Sequence, residues 1–244
     1  MEQFKISRAL GLSFKSCFRN FLPFTLLAAV LYSPLVIWFA TATPESATDL
    51  EDVFNTVFMY PIYFTIGVSA LLPPLLTYRV IQELNGTTVS FLTSIKFGLR
   101  GVLPALFLAV ITNVAQHVPG GGFVSAFLTC LYFVATPAAV AEKLGPFTAF
   151  SRSAELTKGR RWGIFGLTFL LGLMLAGLLL IWIIPMLEGG SLDSASSIRS
   201  SSIAVVVILG VFQMFTGVAQ AVSYALLRQD KDGVSHAELA RIFD

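Results

Sequence analysis

Phe147 to Leu171 reads FTAFSRSAELTKGRRWGIFGLTFLL. Its first half is polar and basic, and its second half, from Trp162 on, is apolar and continues to Met186 without an Asp, Glu, Lys or Arg. A charge-free run of that length is what a helix needs to cross a bilayer, about 20 residues at 1.5 Å each. The polar half carries Phe147, Phe150 and Ala154 as an apolar stripe at helical spacing. Gly159 is placed to stop that helix. A surface helix running into a membrane span is therefore the unit to look for elsewhere.

The whole chain suits that reading. Of 244 residues, 55% are hydrophobic and only 12% charged, against roughly 25% charged in soluble domains, and the mean hydropathy is +0.78. Six apolar runs stand out: Phe21 to Ala42, Val53 to Tyr78, Gly101 to Val118, Phe123 to Ala141, Trp162 to Met186 and Ser202 to Leu227. The first imitates a signal peptide because Ala40-Thr41-Ala42 follows a basic leader. It is longer than a cleaved apolar core of 7–15 residues, and is expected to be a retained span.

Before it, residues 1–20 form a basic amphipathic helix. Lys5, Arg8, Lys15 and Arg19 share one arc, with Ile6, Leu10, Phe14, Cys17 and Phe21 opposite. Between Arg79 and Arg100 a weaker surface helix carries Phe91, Ile95, Leu99 and Val102 as its stripe. The loops Thr43 to Asp52 and Leu187 to Ser201 and the turn Pro119-Gly120-Gly121-Gly122 lie on the other side. Ser235-His236-Ala237-Glu238 has the capping-box pattern, predicting a short helix over 235–243.

Fifteen of the 16 Lys and Arg fall before the first span, in 79–100, in 142–161 or after 227, leaving only Arg199 for the opposite side. Basic loops stay cytoplasmic, so both termini are expected in the cytoplasm. Trp38 and Trp182 fit one interfacial belt, and Trp162 and Tyr224 the other. Each even-numbered span ends in charge and a glycine: Arg79…Glu83…Gly86, Glu142-Lys143-Leu144-Gly145 and Arg228…Lys231…Gly233. The surface segments end in Arg19, Arg100 and Arg160. These landmarks divide one integral membrane domain, 1–244, into tandem hairpin units 1–85, 86–144 and 145–232.

Chemistry is sparse. No Asp, Glu, Lys or Arg lies within the six runs, which argues against an ion- or proton-coupled path. Asn113, Gln116, Gln213 and Gln220 are the candidates for a polar cavity or for interhelical hydrogen bonds. Pro23, Pro34, Pro61, Pro73, Pro74, Pro104, Pro137 and Pro185 can kink spans or shape a bundle. His117 and His236 have no partner at metal or catalytic spacing, and no nucleophile–base set or phosphate loop can be assembled. No metal, cofactor, catalytic residue or nucleic-acid partner is expected. Cys17 is juxtamembrane, where palmitoylation occurs, but a small residue on a buried face is the favoured reading; Cys130 falls in a span. Lys5, Arg8, Lys15, Arg19, Lys96, Arg100, Lys158, Arg160 and Arg161 are the candidate contacts for anionic lipid headgroups.

The stretch AFSRSAELTKGRRWGIFG resembles the A-x-x-R-S-x-x-L-T-K-G-x-R-W-x-I-F-G segment of bacterial integral-membrane proteins grouped with the membrane domain of glycerophosphoryl diester phosphodiesterases. The ending YALLRQDKDG is similar to that group's Y-x-x-L-R-x-x-K-x-G close. In the enzymes that name the group, catalysis belongs to a separate soluble barrel, for which 244 residues leave no room. The resemblance therefore implies the membrane architecture without phosphodiesterase activity. The resulting expectation is an all-α, six-span inner-membrane protein acting as a non-enzymatic, lipid-interacting scaffold or accessory protein with an unidentified protein partner. A transporter or lipid translocator with a cavity between kinked helices is the alternative.

Overall fold

The computed structural model describes residues 4–42, 51, 55, 59, 63–64, 67–68, 70–87, 89–116, 121–188 and 195–233. Among them every regular element is helical: α1 (Ile6–Arg19), α2 (Phe21–Ala42), α3 (Leu72–Leu84), α4 (Phe91–Gly98), a 3-10 turn (Leu99–Gly101), α5 (Val102–Gln116), α6 (Gly121–Tyr132), α7 (Ala135–Glu142), α8 (Pro146–Thr157), α9 (Arg161–Glu188) and α10 (Ala195–Asp232). The loop at 43–50, most of the stretch 52–62, His117 and the turn residues Pro119 and Gly120, and the tail helix at 235–243 with His236 lie outside the described residues.

Among the described residues, five helical stretches are long and apolar enough to cross a membrane: Phe21–Thr41, Phe91–Thr112, Gly122–Glu142, Arg161–Ile184 and Arg199–Asp232. Their bounds differ from the sequence expectation in an instructive way. The helix expected at the surface around Phe91 runs on through the 3-10 turn into α5. The last helix starts at Ala195, inside the expected loop, and continues past Leu227 to Asp232. The run expected to end at Tyr78 yields α3, which carries on through Arg79 and Glu83 to Leu84. Helices α3 and α10 extend beyond the limits that charge counting implied because the ionic groups at their ends are paired inside the protein.

Prolines open helices more than they bend them. Pro73 and Pro74 occupy the first turn of α3, Pro137 that of α7, Pro104 that of α5 and Pro23 that of α2. There the missing N–H would have had no intrahelical acceptor. Pro34, by contrast, stands in the interior of α2. At the other ends, Gly86 (φ +78°), Gly159 (φ +84°) and Gly233 (φ +65°) take the left-handed conformation that closes a helix.

The core is centred on α3, α7 and the second half of α10, and Phe24 and Phe39 of α2 and Ile164 and Leu167 of α9 are buried in it as well. Leu72, Leu76, Ile81, Ala138, Val140, Val218, Val222, Tyr224 and Leu227 are all buried in it. The Pro73-Pro74 step is gripped by glycines. A Cβ on Gly98 would stand 2.6 Å from the Leu75 Cα and the Pro74 carbonyl oxygen. One on Gly101 would lie 2.5 Å from Val140 Cγ2, and one on Gly217 2.9 Å from the Pro73 Cα. Leu26, Val30 and Ile37 on α2, Val110 and Val114 on α5, and Leu173 and Ile181 on α9 face outward.

The apolar stripes expected on the three amphipathic segments pack only in part: Cys17 is in the core, Ile6, Leu10, Phe91 and Ile95 pack against it, and other stripe residues face out. In α1 the buried residues are Ala9, Ser13, Ser16, Cys17 and Asn20, with Ile6 and Leu10 half-buried beside them; Phe21 is exposed, and Phe14 is partly exposed with its ring 4.5 Å from that of Phe215. In α4 it is Ser94 and Gly98, followed by Gly101, while Leu99 points out. In α8 it is Ala149, Ser153, Leu156 and Thr157, while Phe147 points out. Between helices in lipid there is no hydrophobic drive to bury leucine. Small residues let backbones approach, and large apolar side chains remain on the lipid side.

Candidate functional site

The polar end of the bundle, where α3, α7 and α10 finish, holds two networks of ionic groups. The first joins α1 to α3. Glu83, with a side chain only 9% exposed, lies 3.1 Å from Arg19 Nε. It also accepts from Ser16 Oγ at 3.0 Å and from Asn20 Nδ2. Asn20 Oδ1 in turn accepts from Arg79 Nε at 2.7 Å, and Arg79 Nη1 donates to the Val89 carbonyl at 3.2 Å. Asn20 is thus the joint between a carboxylate and a guanidinium. The crevice beside these groups, lined by Arg79, Glu83 and Thr87, has about 110 Å³, room for a few waters.

The second network joins α7, α8 and α10. Arg152 Nε donates to both oxygens of Glu142, at 3.1 and 3.0 Å, its Nη1 to Glu155 at 3.0 Å and its Nη2 to Asp232. Tyr224 Oη donates to Glu142 at 2.8 Å and accepts from Arg228 Nη1 at 3.1 Å. Arg160 Nε reaches Asp230 at 2.8 Å. Burial opposes the charge on Arg152, but Glu155, Glu142 and Asp232 outweigh it and push its pKa up. Cys17 is buried beside the first network; burial first and the Glu83 charge second push its thiol up to about 12.

The basic stretch at 152–161 has a second structural purpose. Where α6 turns into α7 at Phe133-Val134, the Leu131 carbonyl accepts from Ser153 Oγ at 3.0 Å and Thr157 Oγ1 at 3.4 Å. The Arg-Ser-x-x-Leu-Thr pattern therefore presents an ion hub, two hydroxyls and a buried leucine on one helix face.

The nine candidate headgroup cations divide into different classes. Arg19 and Arg160 each pair with a carboxylate, Glu83 and Asp230, while keeping part of their side chains exposed. Arg8 is half-buried. Arg100 is exposed and lies 5.5 Å over the Phe97 ring. Lys5, Lys15, Lys96, Lys158 and Arg161 are exposed. Gln213 and Gln220 are half-buried on α10, while the side chains of Asn113 and Gln116 lie outside the described set. Tyr224, expected in an interfacial belt, is instead fully buried, because its hydroxyl belongs to the second network. Ser16, Asn20, Asp230 and Asp232 were not singled out by sequence. One signal was present: Glu83, Glu142 and Asp230 each stand three residues before a glycine, Gly86, Gly145 or Gly233.

Apolar clefts open on the flanks of the described residues. One of about 320 Å³ lies between α2 and α10 at Ala28, Ala29, Ser33 and Gly210. Two of about 450 and 360 Å³ lie between α6 and α9. Neither Gln213 nor Gln220 lines any of the three. Among the described residues no three of His, Cys, Asp and Glu gather as a metal set would.

Compared with known proteins, the chain finds no matching family model, no matching curated protein and no matching solved structure.

Proposed function

We propose that this chain is a non-enzymatic scaffold or accessory protein of the bacterial inner membrane, with six spans, both termini in the cytoplasm and its polar end against an anionic lipid surface. Kinship with the membrane domain of glycerophosphoryl diester phosphodiesterases is part of the proposal and rests on AFSRSAELTKGRRWGIFG and YALLRQDKDG. So does the division into three tandem units.

The observation that carries the scaffold reading is the state of the polar end. Glu83, Glu142, Asp230 and Asp232 are each engaged by arginine, which ties the helix ends into a fixed platform. The lysines Lys5, Lys15, Lys96 and Lys158 are exposed around it. Each cation near an anionic leaflet adds about 1 kcal/mol of attraction. A translocator would need a polar path, and the apolar lining of the flank clefts weighs against one.

Mass spectrometry of the protein extracted in native lipid patches tests this. A stoichiometric protein partner together with enriched anionic lipid is the expected result. Changing Lys5, Lys15, Lys96 and Lys158 to Glu should remove the lipid enrichment. A retained small molecule or lipid with no partner, followed by its movement across reconstituted vesicles, would replace the scaffold with the translocator.

A further inference from the structure

We infer that the cleft between α6 and α9 is a binding site for one glycerophospholipid, its acyl chain lying against the aromatic rings and its anionic headgroup on Arg161. The inference rests on the lipid-interacting reading above and gives it a location.

The cleft measures about 360 Å³, within the range of small-molecule sites. Its walls are Phe123, Ala126, Phe127 and Cys130 of α6 and Trp162 and Phe165 of α9, with Arg161 at the edge. The neighbouring cleft of about 450 Å³ shares Ala126 and Phe165 and continues along α9 past Thr168 and Phe169 to Leu173. A chain leaving the first hollow therefore meets a second one along the same helix.

Charge selects the headgroup. Arg161 is exposed and has no carboxylate partner among the described residues, unlike its neighbour Arg160, which is held by Asp230. Lys158, three positions earlier, is exposed as well. Trp162 is 85% exposed and is the first residue of the apolar run, the depth at which tryptophan marks the boundary between headgroups and hydrocarbon. An exposed cation, an interfacial indole and an apolar trough then follow one another from headgroup level inward.

Shape selects a chain over a helix. Helices in membranes pack through small residues, but Phe123 and Trp162, 88% and 85% exposed, project on either side of this cleft. Projecting rings hold a second helix off while leaving room for a flexible hydrocarbon.

The test uses the full-length protein in bilayers containing phosphatidylglycerol or phosphatidylcholine, each carrying the same photoactivatable acyl chain, with crosslinks mapped by mass spectrometry. Phosphatidylglycerol should label peptides from 121–132 and 161–173 about fivefold more than phosphatidylcholine does, the size expected for one cation near an anionic group. Arg161→Gln, a change at an exposed position, should erase that preference. Ala126→Leu, which fills the trough, should lower labelling by both lipids. Equal labelling of the cleft by both lipids, or a preference that survives Arg161→Gln, overturns the site. If the preference maps to α1 and α4 instead, the cleft falls and the lipid-interacting reading stands. If no preference appears anywhere on the protein, both fall.

Discussion

The junction of α1 with α2 and the junction of α4 with α5 share five residues at the same spacing and make different joints. Ser13, Lys15, Arg19, Leu22 and Pro23 in the first correspond to Ser94, Lys96, Arg100, Leu103 and Pro104 in the second. The matched positions share their exposure: Ser13 and Ser94 are buried, Lys15 and Lys96 exposed, Cys17 and Gly98 buried, Phe18 and Leu99 exposed. Both serines donate to the carbonyl four residues back, Ala9 at 2.7 Å and Ser90 at 3.3 Å. The divergence comes at Ser16 against Phe97 and at Asn20 against Gly101: Ser16 donates to Glu83 at 3.0 Å, and Phe97 has no polar atom to offer. Asn20 links Glu83 to Arg79, and Arg19 follows it onto the carboxylate. Gly101 has no side chain to offer, and its backbone closes on Pro74 and Val140 instead. Arg100, with no carboxylate beside it among the described residues, rests over Phe97. Two positions, Ser16 against Phe97 and Asn20 against Gly101, separate the polar joint from the dry one.

Breaking the polar joint should cost most. Glu83→Ala removes the counter-charge of Arg19 and strands Ser16 Oγ and Asn20 Nδ2, which both donate to that carboxylate; buried donors left without an acceptor cost about 1–3 kcal/mol each, on top of a half-exposed ion pair worth about 1 kcal/mol at most. Thermal unfolding in a mild detergent should show a loss of that order. An unchanged transition would mean the network is ornamental.

The dry joint should be next. Gly98→Ala drives a Cβ to 2.6 Å from backbone atoms of α3, which cannot rotate away, and overpacking of this kind costs about 1–3 kcal/mol. Gly11→Ala is the control: nothing lies within 4 Å of its added Cβ. The same melting experiment should separate the two. Similar behaviour would remove the close approach as an explanation.

Arginine truncation sharpens the contrast at lower amplitude. Arg19 is 52% exposed, so Arg19→Ala should cost about 1 kcal/mol at most, and Arg100→Ala should fall within about 0.5 kcal/mol of the parent. A larger effect at Arg100 would reverse the assignment of the two joints.

The smallest signal is chemical. With its pKa pushed up to about 12 from an ordinary 9.0, Cys17 stays a neutral thiol in the folded protein through the range where an exposed cysteine ionises. Maleimide labelling of folded protein should therefore lack the usual rise between pH 7 and 9 at Cys17, and unfolding should restore it. Because the folded pKa is the higher one, this group favours the folded state below pH 9 and loses that contribution as pH climbs toward 12.

Much of this architecture was legible in the chain. Charge-free runs of helix-spanning length, glycines at 86, 159 and 233, and the first-turn prolines specify where helices start and stop, because backbone sterics act locally. The clustering of Lys and Arg into three segments and the tail marks one polar end for the same reason of local solvation. What only the tertiary structure decided is which side of each amphipathic helix turns inward and which cations remain outside. Helical spacing puts Cys17, Ile95, Leu99 and Phe147 alike on apolar stripes, yet Leu99 and Phe147 face out while Cys17 and Ile95 pack, beside the small residues Ser13, Gly98 and Ser153. A pattern of hydrophobicity predicts burial only where water surrounds the protein. In lipid the choice falls to how closely two backbones can approach. The fate of an arginine depends on whether a carboxylate from a helix distant in sequence arrives beside it, as Glu83 does for Arg19 and none of the described carboxylates does for Arg100.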